Sequence, residues 1–169
     1  MRPDAILTAN RTARASGAVG SRAIVPAFVR RWAEPGTTVL DFGAGPEAIH
    51  TLAMRELGLV VTAYDFGENL RPGVHDPDAM SRKYSVVLAS NVLNTASRWV
   101  DVLTILDQLR DAVLPEGRVI VNLPAEPRHE AWPPIKATGD AMLRRELQRR
   151  FRTVLLMPPG FWYCRPRRT

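Results

Sequence analysis

Hydrophobic positions along the chain fall into short unbroken runs that alternate with longer periodic stretches. Thr37–Phe42, Leu59–Phe66, Ser85–Asn91 and Arg118–Leu123 are apolar nearly throughout, over lengths that suit strands. Unbroken runs of this kind fit strands covered on both faces of a sheet. Between them, Glu47–Leu57 predicts a helix, and Ala96–Leu114 predicts another with Val100, Leu103, Leu106, Leu109 and Val113 along one stripe. Pro115-Glu116-Gly117 stops that helix and turns the chain into the next strand. Arg22–Trp32, ended by Pro35-Gly36, predicts a covering helix ahead of the first strand, and Ala137–Phe151 another after the Arg118–Leu123 strand. Two short strands, Thr153–Met157 and Phe161–Arg165, follow; Pro158, Pro159 and Gly160 leave room only for a tight antiparallel connection.

The repeated strand–helix–strand order predicts an α/β fold around a mostly parallel sheet with right-handed crossovers. A chain of 169 residues is the size of one domain. The expectation is a single domain over residues 18–169, with residues 1–17, rich in Ala, Arg, Thr and Ser, as a flexible arm. No apolar run approaches the ~20 residues of a membrane helix, and the first residues lack a signal-peptide pattern. The single Cys164 excludes an internal disulfide and a cysteine-rich metal site, so a reducing cytoplasmic setting is expected. No spacing of His, Asp or Glu suits a metal ion.

The residues that carry chemistry lie in Val39-Leu-Asp-Phe-Gly-Ala-Gly-Pro-Glu-Ala-Ile-His-Thr51. A strand runs into Asp41, then Gly43 and Gly45, then a helix; glycine permits both a tight turn and close approach of a ligand to the backbone. Twenty residues beyond Gly45, the second strand ends in Asp65, placed to accept the hydroxyls of a ribose. Two ligands contain such a ribose. Gly43-Ala-Gly45-Pro-Glu-Ala48 fits the dinucleotide fingerprint, which points to a nicotinamide or flavin cofactor. Asp41 and Glu47 oppose it, because carboxylates there would face a pyrophosphate, whereas Asp41 suits the cationic amine and sulfonium of S-adenosyl-L-methionine.

Asp41-Phe-Gly-Ala-Gly, Asp65 closing the second strand, and Tyr84-Ser-Val-Val-Leu-Ala-Ser-Asn91-Val-Leu-Asn94 resemble the successive motifs of class I S-adenosylmethionine-dependent methyltransferases, in particular small phage and bacterial members, over roughly residues 20–166. The resemblance implies a Rossmann-like, mostly parallel seven-stranded sheet with a C-terminal antiparallel strand pair. It implies that Asp41, Gly43 and Gly45 line the methionine part of the donor, that Asp65 holds the ribose, and that Phe66 flanks the adenine. It further implies Asp76, chosen over Asp78, beside the adenine amino group, and the Ser90-Asn91 strand end facing the transferred methyl. Glu47 stands where family members often carry a third glycine.

The acceptor is less legible. Asn91-Val-Leu-Asn94 lacks the prolines and aromatic residue of the amino-directed nucleic-acid tetrapeptide, and Cys164 lies far from the place of a carbon-directed nucleophile. The segment Pro124–Pro134, with four prolines, Trp132 and His129, is either an acceptor lid or a stiff connection. Asn91 and His129 are the catalytic candidates, His129 as a general base; His50 lies one turn into the helix after the glycines, and His75 beside the Asp76 turn. The net charge is +6, and Arg144, Arg145, Arg149, Arg150, Arg152, Arg165, Arg167 and Arg168 crowd the last quarter. That cluster is either a solvated face or a weak, sequence-independent nucleic-acid contact. The expected partners are thus a methyl acceptor of unknown kind, weakly bound nucleic acid at most, and no membrane. A nonenzymatic nucleic-acid-associated protein on the same fold is the alternative in a different functional class.

Overall fold

The computed structural model describes residues 23–96, 98–123 and 136–167. Among them the chain forms a six-stranded sheet. Its elements run α1 (Ile24–Trp32), β1 (Thr38–Phe42), α2 (Ile49–Arg55), β2 (Val60–Tyr64), β3 (Tyr84–Ala89), α3 (Trp99–Ala112), β4 (Val113–Val121), α4 (Lys136–Arg150), β5 (Phe151–Met157) and β6 (Phe161–Pro166). The strand order is β2-β1-β3-β4-β6-β5. β2, β1, β3 and β4 pair in parallel, and β6 pairs antiparallel with both β4 and β5. The expected parallel core and closing antiparallel pair are therefore present. The expected seventh strand is not found among the described residues: between β2 and β3 the chain makes short 3₁₀ turns at Gly67–Asn69 and Ala79–Ser81. Residues 66–83 hold Gly67, Gly73, Pro72 and Pro77, which interrupt any run of paired backbone.

β2 is thus an edge strand, and its outward carbonyls are covered. Arg55 Nε and Nη2 donate to Val61 O at 2.9 and 2.7 Å, and Asp76 N donates to Ala63 O at 2.9 Å. Capping of this kind removes the template that a bare edge would offer another chain.

Alternation along the central strands divides the core between two layers. Val39, Val86, Leu88 and Ile120 pack under Val25 and Val29 of α1. Leu40, Phe42, Val87, Ala89, Val119 and Val121 pack under α3 and α4. The buried face of α3 is Val102, Ile105, Leu106, Leu109 and Ala112, whereas Val100 is 56% exposed. The predicted stripe is thus rotated: Leu106 and Leu109 are shared with it, and the broad face lying on the sheet takes in Val102 and Ile105. Pro115-Glu116-Gly117 is a bulge inside β4, since Tyr84 pairs with Val113 and Val86 with Arg118. A Cβ on Gly117 would lie 2.8 Å from Ser85 O, so only glycine fits this close passage.

Candidate active site

β1 and β3 leave the sheet on opposite sides of the point where strand order reverses, which opens a crevice at their carboxyl ends. The loop from Gly43 to Ala48 forms its floor. Gly43 N and Ala44 N both donate to Tyr64 O, at 2.8 and 3.0 Å, and tie the loop to the end of β2. Gly43 and Gly45 have φ of 74° and 78°, the left-handed region that favours glycine. Their surroundings differ. A Cβ on Gly43 would lie 2.5 Å from Val92 Cγ2, whereas nothing stands within 4 Å of one on Gly45. Gly43 lets the loop pack; Gly45 keeps the floor of the cleft open. α2 begins only at Ile49, after Ala48 at φ 45°, so Glu47 is an exposed loop residue and not part of the helix.

One wall comes from the end of β2. Asp65 is only 3% exposed, yet it borders the cleft with Phe66 and Asn69. Its carboxylate accepts Gly45 N at 2.7 Å on Oδ2 and Phe66 N at 2.8 Å on Oδ1. Burial raises its pKa, and these two backbone bonds with the Asn69 side chain oppose the rise. Asn69 is 3% exposed, and its Oδ1 has no hydrogen-bond partner. A buried acceptor left open at a cleft wall is a place for a ligand hydroxyl. Phe66 packs against Phe42, with ring centroids 6.3 Å apart.

The opposite wall comes from the end of β3: Asn91, Val92 and Thr95. Asn91 has φ 58°, a left-handed conformation asparagine tolerates better than most residues. Asn122, 1% exposed just after β4, accepts Asn91 N on its Oδ1 at 2.8 Å and donates from Nδ2 to Asn91 Oδ1 at 2.9 Å.

Asp41 lies below the floor. It is 2% exposed, Thr51 Oγ1 of α2 donates to it at 2.8 Å, and it is not among the cleft-lining residues. Burial pushes its pKa up to about 6, with Asp65 adding to the rise and Thr51 and Arg55 opposing it. His75 braces the same floor from outside. Arg71 N donates to its Nδ1 at 3.0 Å, so Nε2 carries the proton and donates to Gly45 O at 2.9 Å.

Other expected residues lie apart from this cleft. Asp76 accepts Asp78 N at 2.8 Å and pairs with Arg82, whose hydrogen bond holds its carboxyl below the usual range; it does not line the cleft. His50 is half-buried near Arg30, and burial lowers its pKa. Cys164 is buried in β6, where burial pushes its thiol up and removes it as a nucleophile. His129 and Trp132, with the rest of the 124–135 segment, lie outside the described residues, as do residues 1–17 and Arg168. Asn69, His75 as a brace, Thr95 and Asn122 escaped the sequence reading. The short Gly67-Glu68-Asn69 turn directly after Asp65 was the available signal for Asn69, and the Asn122-Leu-Pro strand end for Asn122.

A methyltransferase-domain family model matches residues 17–168. The chain belongs to the methyltransferase-domain family. No curated protein sequence matches this family member. Among solved structures it is similar to a TehB-like SAM-dependent methyltransferase from Corynebacterium glutamicum, at 15% identity and TM-score 0.59, over 97% of this chain and 98% of that one. A SAM-dependent methyltransferase from Bacteroides fragilis in complex with S-adenosyl-L-homocysteine is 14% identical at TM-score 0.59, over 86% and 78% of the two chains. The magnesium protoporphyrin IX methyltransferase of Synechocystis, solved with bound SAM, is 15% identical at TM-score 0.56, over 94% and 80%. At such identities the likeness shows a shared methyltransferase fold.

Proposed function

We propose that this methyltransferase-family chain uses S-adenosyl-L-methionine as its methyl donor, held in the cleft at the carboxyl ends of β1, β2 and β3. The observation that carries the reading is Asp65, fixed by Gly45 N and Phe66 N beside the open acceptor of Asn69, on a floor left clear at Gly45. These residues fit the donor's nucleoside half. The remaining lone pairs of Asp65 and the Oδ1 of Asn69 accept the two ribose hydroxyls, and Phe66 flanks the adenine. Asp41, beneath the floor, supplies negative charge under the cationic half without touching it. The described cleft walls carry no Lys or Arg to neutralise a dinucleotide's pyrophosphate, and the Asp41 carboxylate beneath the glycine loop would repel it through the floor. This is the physical ground for a sulfonium over a nicotinamide cofactor.

When bound, the donor supplies a methyl group on a cationic sulfur, an electrophile that needs an acceptor held in line rather than a protein nucleophile. Asn91, on the wall opposite Asp65, faces that side of the cleft and is the residue proposed to orient the acceptor. His129 remains the proposed base; with it, a cytoplasmic setting rests on sequence alone.

A crystal structure of the full chain with S-adenosyl-L-homocysteine tests the reading. The expected result is ribose oxygens on Asp65 and Asn69 and the homocysteine sulfur toward Asn91. A nucleoside lying elsewhere, with Asp65 untouched, would overturn it.

A further inference from the structure

The Asn91–Asn122 pair fixes the hydrogen-bonding polarity of one cleft wall. A backbone N–H can only donate, so the Asn122 atom receiving Asn91 N must be the amide oxygen. The nitrogen of Asn122 therefore faces the Asn91 side chain, and the atom it meets at 2.9 Å must be Asn91 Oδ1. The amide orientations follow from chemistry rather than from a choice between similar-looking atoms. Asn122 holds the Asn91 oxygen toward itself, which leaves the Asn91 Nδ2 as the side-chain atom turned to the cleft that Asn91 lines. Asn122 is 1% exposed and directly follows β4, so it cannot turn away without leaving buried polar atoms unpaired.

We infer that Asn122 is a positioning residue that turns the Asn91 amide N–H groups toward the cleft, so that the methyl acceptor presents an oxygen lone pair to Asn91, as a carboxylate does. An ammonium group at the same place would point N–H groups at the Asn91 N–H groups and leave both unpaired. The arrangement is the reverse of one in which an asparagine oxygen grips an exocyclic amine. The inference rests on the donor reading above, since that reading assigns this wall to the acceptor.

The test uses the full chain, labelled with ¹⁵N and saturated with S-adenosyl-L-homocysteine, and follows side-chain amides by NMR. Saturation itself reports on the donor reading: with no binding, that reading falls first and this one with it. Given binding, the Asn122 amide protons should exchange slowly and those of Asn91 fast. Acetate, as the minimal oxygen probe, should shift the Asn91 amide saturably, and methylammonium should not. Asn122→Asp accepts from both Asn91 nitrogens and turns Oδ1 toward the cleft. In that variant the Asn91 amide becomes protected and the acetate response weakens by about tenfold. Asn122→Ala should give a broadened Asn91 amide without this reversal, which separates a polarity switch from simple loosening. Equal responses to the two probes, or a protected Asn91 amide in the unaltered chain, would overturn the inference.

Discussion

Asp41 carries a carboxylate beneath the glycine loop with one side-chain hydrogen bond, from Thr51, and with Asp65 close enough to oppose its ionisation. Its pKa of about 6 in the fold stands some two pH units above the ordinary value of 3.8. The folded state therefore holds this proton more tightly than the unfolded chain does. Its ionisation costs about 3 kcal/mol at neutral pH, and that cost vanishes as pH falls through 6 toward 4. Asp41→Asn should accordingly be more stable than the native chain by ~1–3 kcal/mol at pH 7, with the gap closing near pH 4. Urea unfolding of both proteins across that range checks it, and a variant that is less stable at pH 7 would show the carboxylate to be better solvated than its burial implies. The same variant should bind S-adenosylmethionine more weakly than S-adenosylhomocysteine relative to the native chain, because only the first ligand carries the sulfonium charge. A second residue-level outcome concerns His75: His75→Phe leaves Arg71 N without its partner and Gly45 O with Ala48 N alone, and should cost ~1–3 kcal/mol of stability, read from the same unfolding curves.

At the scale of elements, the two glycines of one loop separate packing from binding. Gly43→Ala puts a methyl group 2.5 Å from Val92 Cγ2 at a left-handed φ, and should cost more than ~2 kcal/mol of stability. Gly45→Ala meets no atom within 4 Å and should cost only ~1 kcal/mol, yet fill the floor and lower donor affinity. Equal losses of stability in the two variants, by thermal melting, would contradict this division. The strand runs and the glycine–acid spacing were legible in the sequence because a buried parallel strand and a turn at its end leave compositional marks. The rotated face of α3 was not: Val102 and Ile105 are as apolar as Val100 and Leu103, and only the sheet beneath decides which are covered. The seventh strand was carried by resemblance; among the described residues none is found, and the prolines and glycines of residues 66–83 interrupt the segment between β2 and β3. Asp65 could be read from its position after a strand, but Asn69 and Asn122 could not, since their meaning lies in an unpaired oxygen and a reciprocal bond.

Across the whole molecule, part of the basic C-terminal quarter is engaged with the protein itself, including Arg165, whose Nε donates to the Tyr163 hydroxyl. Arg149 and Arg150 bond Glu146, Arg150 also reaches Asp107 on α3, and Arg167 donates to Gln148 O. Arg144, Arg145 and Arg152 stand exposed. A duplex contact made by three such arginines should be weak, indifferent to sequence, and lose roughly 40-fold in affinity between about 50 and 200 mM salt. Fluorescence anisotropy on a short labelled duplex checks this, and tight, salt-resistant binding would move nucleic acid to the centre of the function. The central claim, that the cleft between the ends of β2 and β3 is a methyl-donor site, is tested most directly by titration calorimetry with S-adenosyl-L-homocysteine on the native chain and on Asp65→Asn. The expected result is one-to-one binding that the substitution weakens by ~1.5–3 kcal/mol while a parallel titration with NAD shows no comparable affinity. Unchanged affinity in Asp65→Asn, or tighter binding of NAD, would contradict it.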